Sequence, residues 1–502
     1  MLNVELVERS IRESVVPRTA DQLTSARWFG DKGKTITSIA AIDSAIVPLA
    51  EGWLALTVVA CSFADQSADA WYFVPYAIVD EATPSARPLT TVTIEGSNHA
   101  VVDAFTLHSF AEWLIEQHAE ERALPSARGW FAWTRFAGAS GCLTRAREDP
   151  PRLSAVEQSN TAIAYGESVF LKVFRRLRSG IQPDEELGRF LAEQTDFRHF
   201  PAPLAAMSYV GEGGRSYPVS LAQRFVPNRG DGWSVTLESL AALAGSKLDP
   251  GHADELLAAR SAAMSRLGQR TGELHLALAS STNDLAFVSA RMSASEILEW
   301  EERVRRSLLA ADSILRQRRG DLALATKDLI DRFHDRVPDL MEQIEAVRLL
   351  NGSANIRVHG DYHLGQVIET ADDDWAILDF EGEPARSIEQ RRAKTTVLKD
   401  LAGMTRSLSY ARGAALRAIA DGDLPPTTVQ RLGAWEMAAR HAFLTAYKAT
   451  VRAAPVRLVP DAPDEFDATL RAWELEKALY EIDYEVNNRP TWLDLPIQSL
   501  LQ

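Results

Sequence analysis

The stretch RVHGDYHLGQ (357–366) places two histidines, an aspartate and a glutamine within eight positions, and WAILDFEGEP follows at 375–384. Asp361, Gln366 and Asp379 bear the oxygen atoms of this set. Between them lie QVIE, the turn-prone TADDD and WAILDF, a strand–turn–strand pattern. Asp361 and Asp379 are eighteen positions apart, and a hairpin folds such a pair back toward one cleft. Phosphoryl transfer needs a carboxylate near the attacking hydroxyl, oxygen ligands for magnesium and a cation for the nucleoside triphosphate. In that chemistry Asp361 is the catalytic base. Gln366 and Asp379 form an oxygen-only set suited to Mg2+, a hard cation that keeps waters and substrate phosphates as its other ligands. The order matches a catalytic loop of the H-R-D-x-x-x-x-N type followed by a D-F-G aspartate, with Gln366 as the amide five positions after Asp361 and Asp379-Phe380-Glu381 as the second motif. A zinc site on His359 and His363 is disfavoured. Their four-residue spacing suits a helix, but Gly360 between them and the β-rich run behind them indicate a loop.

The cation must come from upstream. SVFLKVF carries Lys172 on an alternating strand, and PDEELGRFLAE follows as a helix with Leu187, Phe190 and Leu191 as its apolar stripe. Glu186 borders that stripe while Glu185 points away, so Glu186 is the expected partner of Lys172. Taken alone, Lys172 is equally a solvated strand lysine, and only its order relative to the other residues argues for a role. EQSNT (157–161) would open the hairpin over the phosphates, with Ser159, Asn160 and backbone N–H groups replacing a glycine-rich loop. In LAQRFVPNRGDGW the backbone at Arg224, Phe225 and Val226 is a candidate hinge that holds adenine, although a plain connection is what structure alone also requires.

The elements that must position these residues are coarse but legible. The first part of the chain is strand-rich, with GWLALTVVACSF and AWYFVPYAIV, then a helix over AFTLHSFAEWLIEQHAEE. A second β-rich block runs to about 226. Beyond 235, apolar residues recur at three- and four-residue spacing in long amphipathic helices, interrupted by the polar hairpin. The expected division is 1–110, 111–226 and 227–502.

The chain has 502 residues, 46% of them hydrophobic, enough for substantial cores. Its 54 basic against 69 acidic residues give a net charge of −15, which disfavours nucleic acid or an anionic membrane as partner. Two cysteines, Cys61 and Cys142, indicate no disulfide framework. No apolar run reaches the roughly 18 residues of a membrane span and no signal peptide is read, so a cytoplasmic location is expected. GDKGKT (30–35) is no P-loop, because Trp28 stands where the first glycine belongs, and GEGGRS (211–216) reads as a hairpin turn.

VEQSNTAIAYG, FLKVFRR, QRFVPNRGDGW, RVHGDYHLGQVI, LKDLAGMTRSLSY and the ending YEVNNRPTWLDLPIQ together resemble bacterial maltokinase over nearly the whole chain, including ARWFGDKG at 26–33. The resemblance implies an α+β, bilobal protein-kinase-like fold related to aminoglycoside phosphotransferases. That fold comprises an N-terminal cap subdomain, a β-rich nucleotide-binding lobe and a mostly helical lobe. It further implies ATP- and Mg2+-dependent phosphorylation of maltose on its anomeric hydroxyl. The product, maltose 1-phosphate, would feed α-glucan and glycogen synthesis from trehalose, with trehalose synthase as a partner. By motif, Asp361 would be the base, Gln366 and Asp379 the metal ligands and Lys172 the ATP phosphate contact. On WELEKALYEIDYEV, Lys477 and Tyr480 share a helix face, near Glu474 and Tyr484. That face is equally a solvated one, and the resemblance tips Lys477 and Tyr480 toward the sugar. His363 would either hydrogen-bond the sugar or hold Asp361. A kinase for another acceptor, such as glucosamine or an aminoglycoside, is the nearest alternative, because Glu381, Glu383 and Glu474 could serve an amino group. A catalytically inactive kinase fold acting as a binding partner is less favoured.

Overall fold

The computed structural model describes residues 4–26, 28–80, 88–153, 160–245, 249–280, 282–322, 324–384, 386–419 and 425–501. Two compact units emerge. One comprises Met1–Gln194 with Pro201–Val226, the other Thr195–Phe200 with Pro227–Gln502.

The first unit is built on two antiparallel sheets. One runs in the order Ile36–Leu49, Gly52–Phe63, Ala70–Asp80, Ser97–Asp103, Thr90–Ile94. Its central strands are apolar on both faces, since Gly52–Phe63 and Ala70–Asp80 are buried almost throughout. Both faces must therefore be covered. On one side lie Val7, Ile11 and Val15 from the amino-terminal helical turns. On the other, Leu54, Leu56 and Phe73 share a core with Leu171, Trp133 and Met207 of the second sheet and with Phe110 and Leu114 of the helix His108–Glu120.

The second sheet runs Ala123–Pro125, Trp130–Arg135, Pro203–Val210, Ser216–Arg224, Val169–Phe174, Asn160–Tyr165, Pro151–Leu153. The expected hairpin around Gly166 is present, with Tyr165 opposite Val169. GEGGRS forms the turn between Pro203–Val210 and Ser216–Arg224. His118 is wholly buried and bridges Leu114 O at 2.7 Å and Ser220 Oγ at 2.9 Å. Burial pushes its pKa down to about 4, so at neutral pH it is an uncharged structural link between helix and sheet.

The chain crosses from the second sheet to the first just after Lys172. Arg176–Leu177 pairs with Trp71–Tyr72 as an added strand of the first sheet. Arg175, at the crossing, is 2% exposed. Its guanidinium lies over the rings of Trp28 (4.6 Å) and Phe105 (4.1 Å), donates to Asp103 Oδ2 at 2.9 Å and to Thr161 Oγ1 at 2.9 Å. Such a site satisfies a buried charge only while every partner is present. Arg175→Met is therefore expected to lower stability by about 2–3 kcal/mol, the low end for a broken buried pair because Asp103 keeps partial access to water. Urea denaturation of wild type and variant measures the difference, and an unchanged midpoint would remove Arg175 from the junction.

The second unit is helical, with one three-stranded sheet of Asn228–Asp231, Val367–Thr370 and Trp375–Ile377. Its long helices are Pro250–Leu278, Ala294–Arg318, Leu324–Ile344, Leu398–Ile419, Pro426–Val451 and Pro463–Asn488, and the first of these packs against Trp375–Ile377. Ser293 caps Ala294–Arg318 with a reciprocal bond to Glu296. Among the described residues, no helix is long and apolar enough to cross a membrane.

Candidate active site

The polar loop begins where Ala354–Asn355 ends and reaches the hairpin through one helical turn at Leu364–Gln366. Val367–Thr370 and Trp375–Ile377 pair in register, Val367 opposite Ile377, as the sequence pattern requires. Trp375 is buried and donates Nε1–H to Ala263 O at 2.8 Å. Arg270 grips Asp374 at the hairpin tip at 2.6 Å. The Ile377 N–H donates to His199 O at 2.8 Å, which fastens Thr195–Phe200 to the hairpin edge. With both ends fixed, Leu378 N–H donates to Gln366 O at 2.8 Å, setting the residue before Asp379 beside Gln366.

Asp379 sits at φ +64°, a left-handed conformation that aspartate tolerates better than most residues. Strain of this kind persists only where neighbours hold it. Phe380, next in the chain, is buried against the His359 ring (5.3 Å) and the Phe200 ring (6.2 Å). His359 is 1% exposed and fully engaged: Nε2 meets Leu378 O at 2.7 Å, and Nδ1 accepts the Asp361 N–H at 3.4 Å. That use of both ring nitrogens leaves His359 a structural member of the loop rather than a metal ligand.

The loop itself is carried by a side chain that the spacing argument passed over. Asp400, fully buried on Leu398–Ile419, accepts the N–H of His359 at 2.9 Å and of Gly360 at 2.8 Å. His275 Nε2 lies 3.1 Å from the same carboxylate, and its Nδ1 is 2.9 Å from Tyr447 Oη. Burial works against the Asp400 charge. The hydrogen bond and charge of His275, with His359 and the Gly360 N–H, outweigh it and hold the carboxyl below its ordinary value. One turn on, Gly403 lets the loop approach, since a Cβ there would lie 2.4 Å from Tyr362 O. Ser407 Oγ then accepts the Leu364 N–H at 3.1 Å. Asp400, Gly403 and Ser407 fall at i, i+3 and i+7, one helical face. LKDLAGMTRSLSY is thus the cradle of the loop. The readable signal is an aspartate, a glycine and a serine at helical spacing.

Asp361 faces the last long helix. Lys477 Nζ is 3.7 Å from Asp361 Oδ1 and 5.0 Å from the Tyr480 ring centroid. Burial disfavours its charge, but Asp361, Glu481 and Glu383 outweigh that and raise its pKa. His363 Nδ1 accepts the Gly365 N–H at 3.0 Å. Burial lowers its pKa; Asp361 opposes this and Lys477 reinforces it. A cavity of about 690 Å³ opens here, lined by Gly360, Glu383, Lys477, Tyr480, Trp300 and Trp473 among others. Glu383 in its wall is shared by Lys399 at 3.5 Å and by Arg386, which hold its pKa down against burial. Glu474, grouped by sequence with Lys477 and Tyr480, turns instead to Thr405 and Arg440. Glu476 lies in the cavity wall, accepting from Trp300 Nε1 at 3.0 Å.

In the first unit, Lys172 lies on Val169–Phe174 as expected, and its ammonium is 2.9 Å from Asp184 Oδ2. Asp184 is wholly buried at the start of Pro183–Gln194, two positions ahead of Glu186, and also accepts from Gln223 Nε2 at 3.5 Å. Asp184 thus joins Glu186 as a candidate partner of Lys172 on this helix. A carboxylate in the first turn is equally near the strand, and the helix N-terminus stabilises its charge. Asn160 begins the strand Asn160–Tyr165, whereas Ser159 lies outside the described residues. At the proposed hinge, Arg224 N–H donates to Ala202 O at 2.8 Å and Phe225 N–H to Ser168 O at 3.2 Å. The N–H groups of Arg224 and Phe225 are thus engaged within the unit.

No family model matches the chain. The glucosamine kinase of Streptacidiphilus jiangxiensis is 28% identical over 393 residues, 78% of this chain and 80% of that protein. The glucosamine kinase of Mycolicibacterium smegmatis is 25% identical over 345 residues, 69% and 77% of the two chains. Among solved structures, a glucosamine kinase (crystal form B) matches with a TM-score of 0.64 at 24% identity, over 96% of this chain and 98% of that one. A glucosamine kinase in complex with glucosamine, ADP and inorganic phosphate matches with a TM-score of 0.62 at 24% identity, over 97% and 99%. These matches do not single out maltokinase; they establish that the chain has a kinase-like α+β fold.

Proposed function

We propose that the chain is an ATP- and Mg2+-dependent sugar kinase whose acceptor is an amino monosaccharide of the glucosamine type. The observation that carries the reading is Asp361 facing Lys477 of the cavity wall, on a loop built as a phosphoryl-transfer site requires. The two glucosamine kinase relatives support the choice of acceptor. Maltose, the acceptor suggested by the sequence resemblance, is the second reading, with trehalose synthase as the partner that reading carries. It is favoured by a cavity larger than a single hexose fills and by a wall carboxylate, Glu383, already neutralised by two cations.

In the proposed mechanism Asp361 orients the acceptor hydroxyl and takes its proton as the bond to phosphorus forms. Tyr480 and His363 bind the sugar. Lys172, fixed by Asp184, contacts the ATP phosphates, with Glu186, Ser159 and Asn160 as further nucleotide contacts and Arg224 to Val226 at the adenine. Gln366 and Asp379 offer an amide and a carboxylate oxygen with neither nitrogen nor sulfur in the set, a donor chemistry that fits magnesium. Bound there, the ion would neutralise phosphate charge. Positioning and charge stabilisation dominate such a reaction. ADP release on glucosamine, maltose, glucose and an aminoglycoside separates the readings. Turnover on glucosamine with little on maltose supports the first; the reverse supports the second; Mg-ATP binding without turnover on any sugar would sink both.

A further inference from the structure

Lys477 is a sugar candidate by sequence, and its position suits a second role. It lies on Pro463–Asn488 and lines the same cavity as Gly360 of the catalytic loop. Its ammonium is 3.7 Å from Asp361 Oδ1, close enough for strong attraction yet too far for a hydrogen bond. The lysine is therefore held near the carboxylate without being locked to it. Glu481 lies one turn further along the same helix, and Glu383 lines the cavity from the segment after the hairpin. Tyr480, below the ammonium, gives it a cation–π support. These groups keep a cation in place whatever the acceptor is.

That cation stands where the reaction needs one. The acceptor oxygen must sit within hydrogen-bond reach of Asp361 when its proton is taken. The phosphorus it attacks is then one bond further, with negative charge spread over three equatorial oxygens. An ammonium beside Asp361 is within reach of that group, and the loose transition state has little other covalent chemistry for the protein to perform.

On the basis of the sugar-kinase reading, we propose that Lys477 is a catalytic residue that binds the transferring phosphoryl group rather than the sugar. In the step, the acceptor oxygen forms a bond to the γ-phosphorus and the bond from that phosphorus to the β,γ-bridging oxygen breaks. The electron pair leaves with ADP, the acceptor proton goes to Asp361, and Lys477 shifts from Asp361 toward the equatorial oxygens. The proton and the phosphoryl charge thus move together across one Asp–Lys pair.

The test is steady-state kinetics of Lys477→Met and Lys477→Arg on the best acceptor found for the wild type, with thermal melts of all three. Lys477→Met is expected to lose ~10²–10³-fold in kcat, the size of losing one charge-stabilising donor, while the KM for sugar stays within about threefold. Lys477→Arg, which keeps the charge and shields the three carboxylates if the Met variant unfolds, should recover at least about tenfold of the loss. A sugar KM raised about tenfold or more with kcat retained overturns the assignment and returns Lys477 to the sugar site, as does an unchanged kcat in the folded Met variant. A wild-type chain that phosphorylates no sugar is a separate result: it removes the sugar-kinase reading on which this rests.

Discussion

Asp361→Asn is expected to reduce kcat for sugar phosphorylation by roughly 10³-fold, within the range for removal of a positioned general base. The substitution is nearly isosteric, so the loop keeps its shape. The Asp361 N–H still reaches His359 Nδ1, and Asp400 still holds His359 and Gly360. Only the ability to accept a proton and the negative charge beside Lys477 are lost. Glu481 and Glu383 still favour the charge of Lys477, so the variant should fold with a melting temperature near that of wild type. The acceptor KM should change by no more than about threefold, because the sugar makes its other contacts in the cavity. A coupled assay for ADP release gives kcat, and calorimetry gives acceptor affinity. An Asn variant with near-wild-type turnover would end the assignment of Asp361 as base.

A second large loss should follow from Asp400→Asn, although Asp400 is buried and reaches the loop through backbone N–H groups. Its two oxygens take two backbone N–H groups and a histidine, so an amide in its place presents N–H where only acceptors fit. The expected cost is about 3–5 kcal/mol of stability, as for a buried ionic network with one member removed. The loop it positions should drift, and a shift near 1 Å at a catalytic group costs ~10²-fold in rate. The pH dependence identifies the cause. Asp400 is held below its ordinary pKa, so its contribution is complete above the unfolded-state value near 3.9 and fades as pH falls through the folded value. The stability gap between wild type and Asp400→Asn should therefore be flat from about pH 5 to 8 and close under stronger acid. A gap that instead widens in acid would contradict this role.

Much of the loop's construction was legible because it is local. The hairpin between Asp361 and Asp379 follows from alternation and a turn of aspartates, and its register leaves little freedom. The strand bearing Lys172 and the helix after it were equally readable. What escaped depends on contacts between distant segments. The Asp184 partner of Lys172 is set by the approach of helix to strand, which a helical wheel does not contain. His275, Asp400 and Tyr447 come from three helices and meet only through packing. Glu474 failed as a cavity residue for a similar reason: Arg440 from a neighbouring helix draws it away. Sequence periodicity places a side chain on a face of its own element, whereas partners on other elements decide what it meets.

The crossing at Arg175 bears on how this chain can be divided. A polypeptide starting near residue 111 would carry Val169–Phe174 and Lys172 but would lose the strand to which Arg176–Leu177 pairs and the rings around Arg175. It would also present to water the side of the sheet that bears Trp133, Leu171 and Met207. An apolar surface of that kind favours aggregation over folding. The amino-terminal sheet is thus no appendage to be trimmed in search of a minimal catalytic fragment. The smallest folding piece that contains Lys172 includes it, and insertions or fusions are best tolerated outside both sheets.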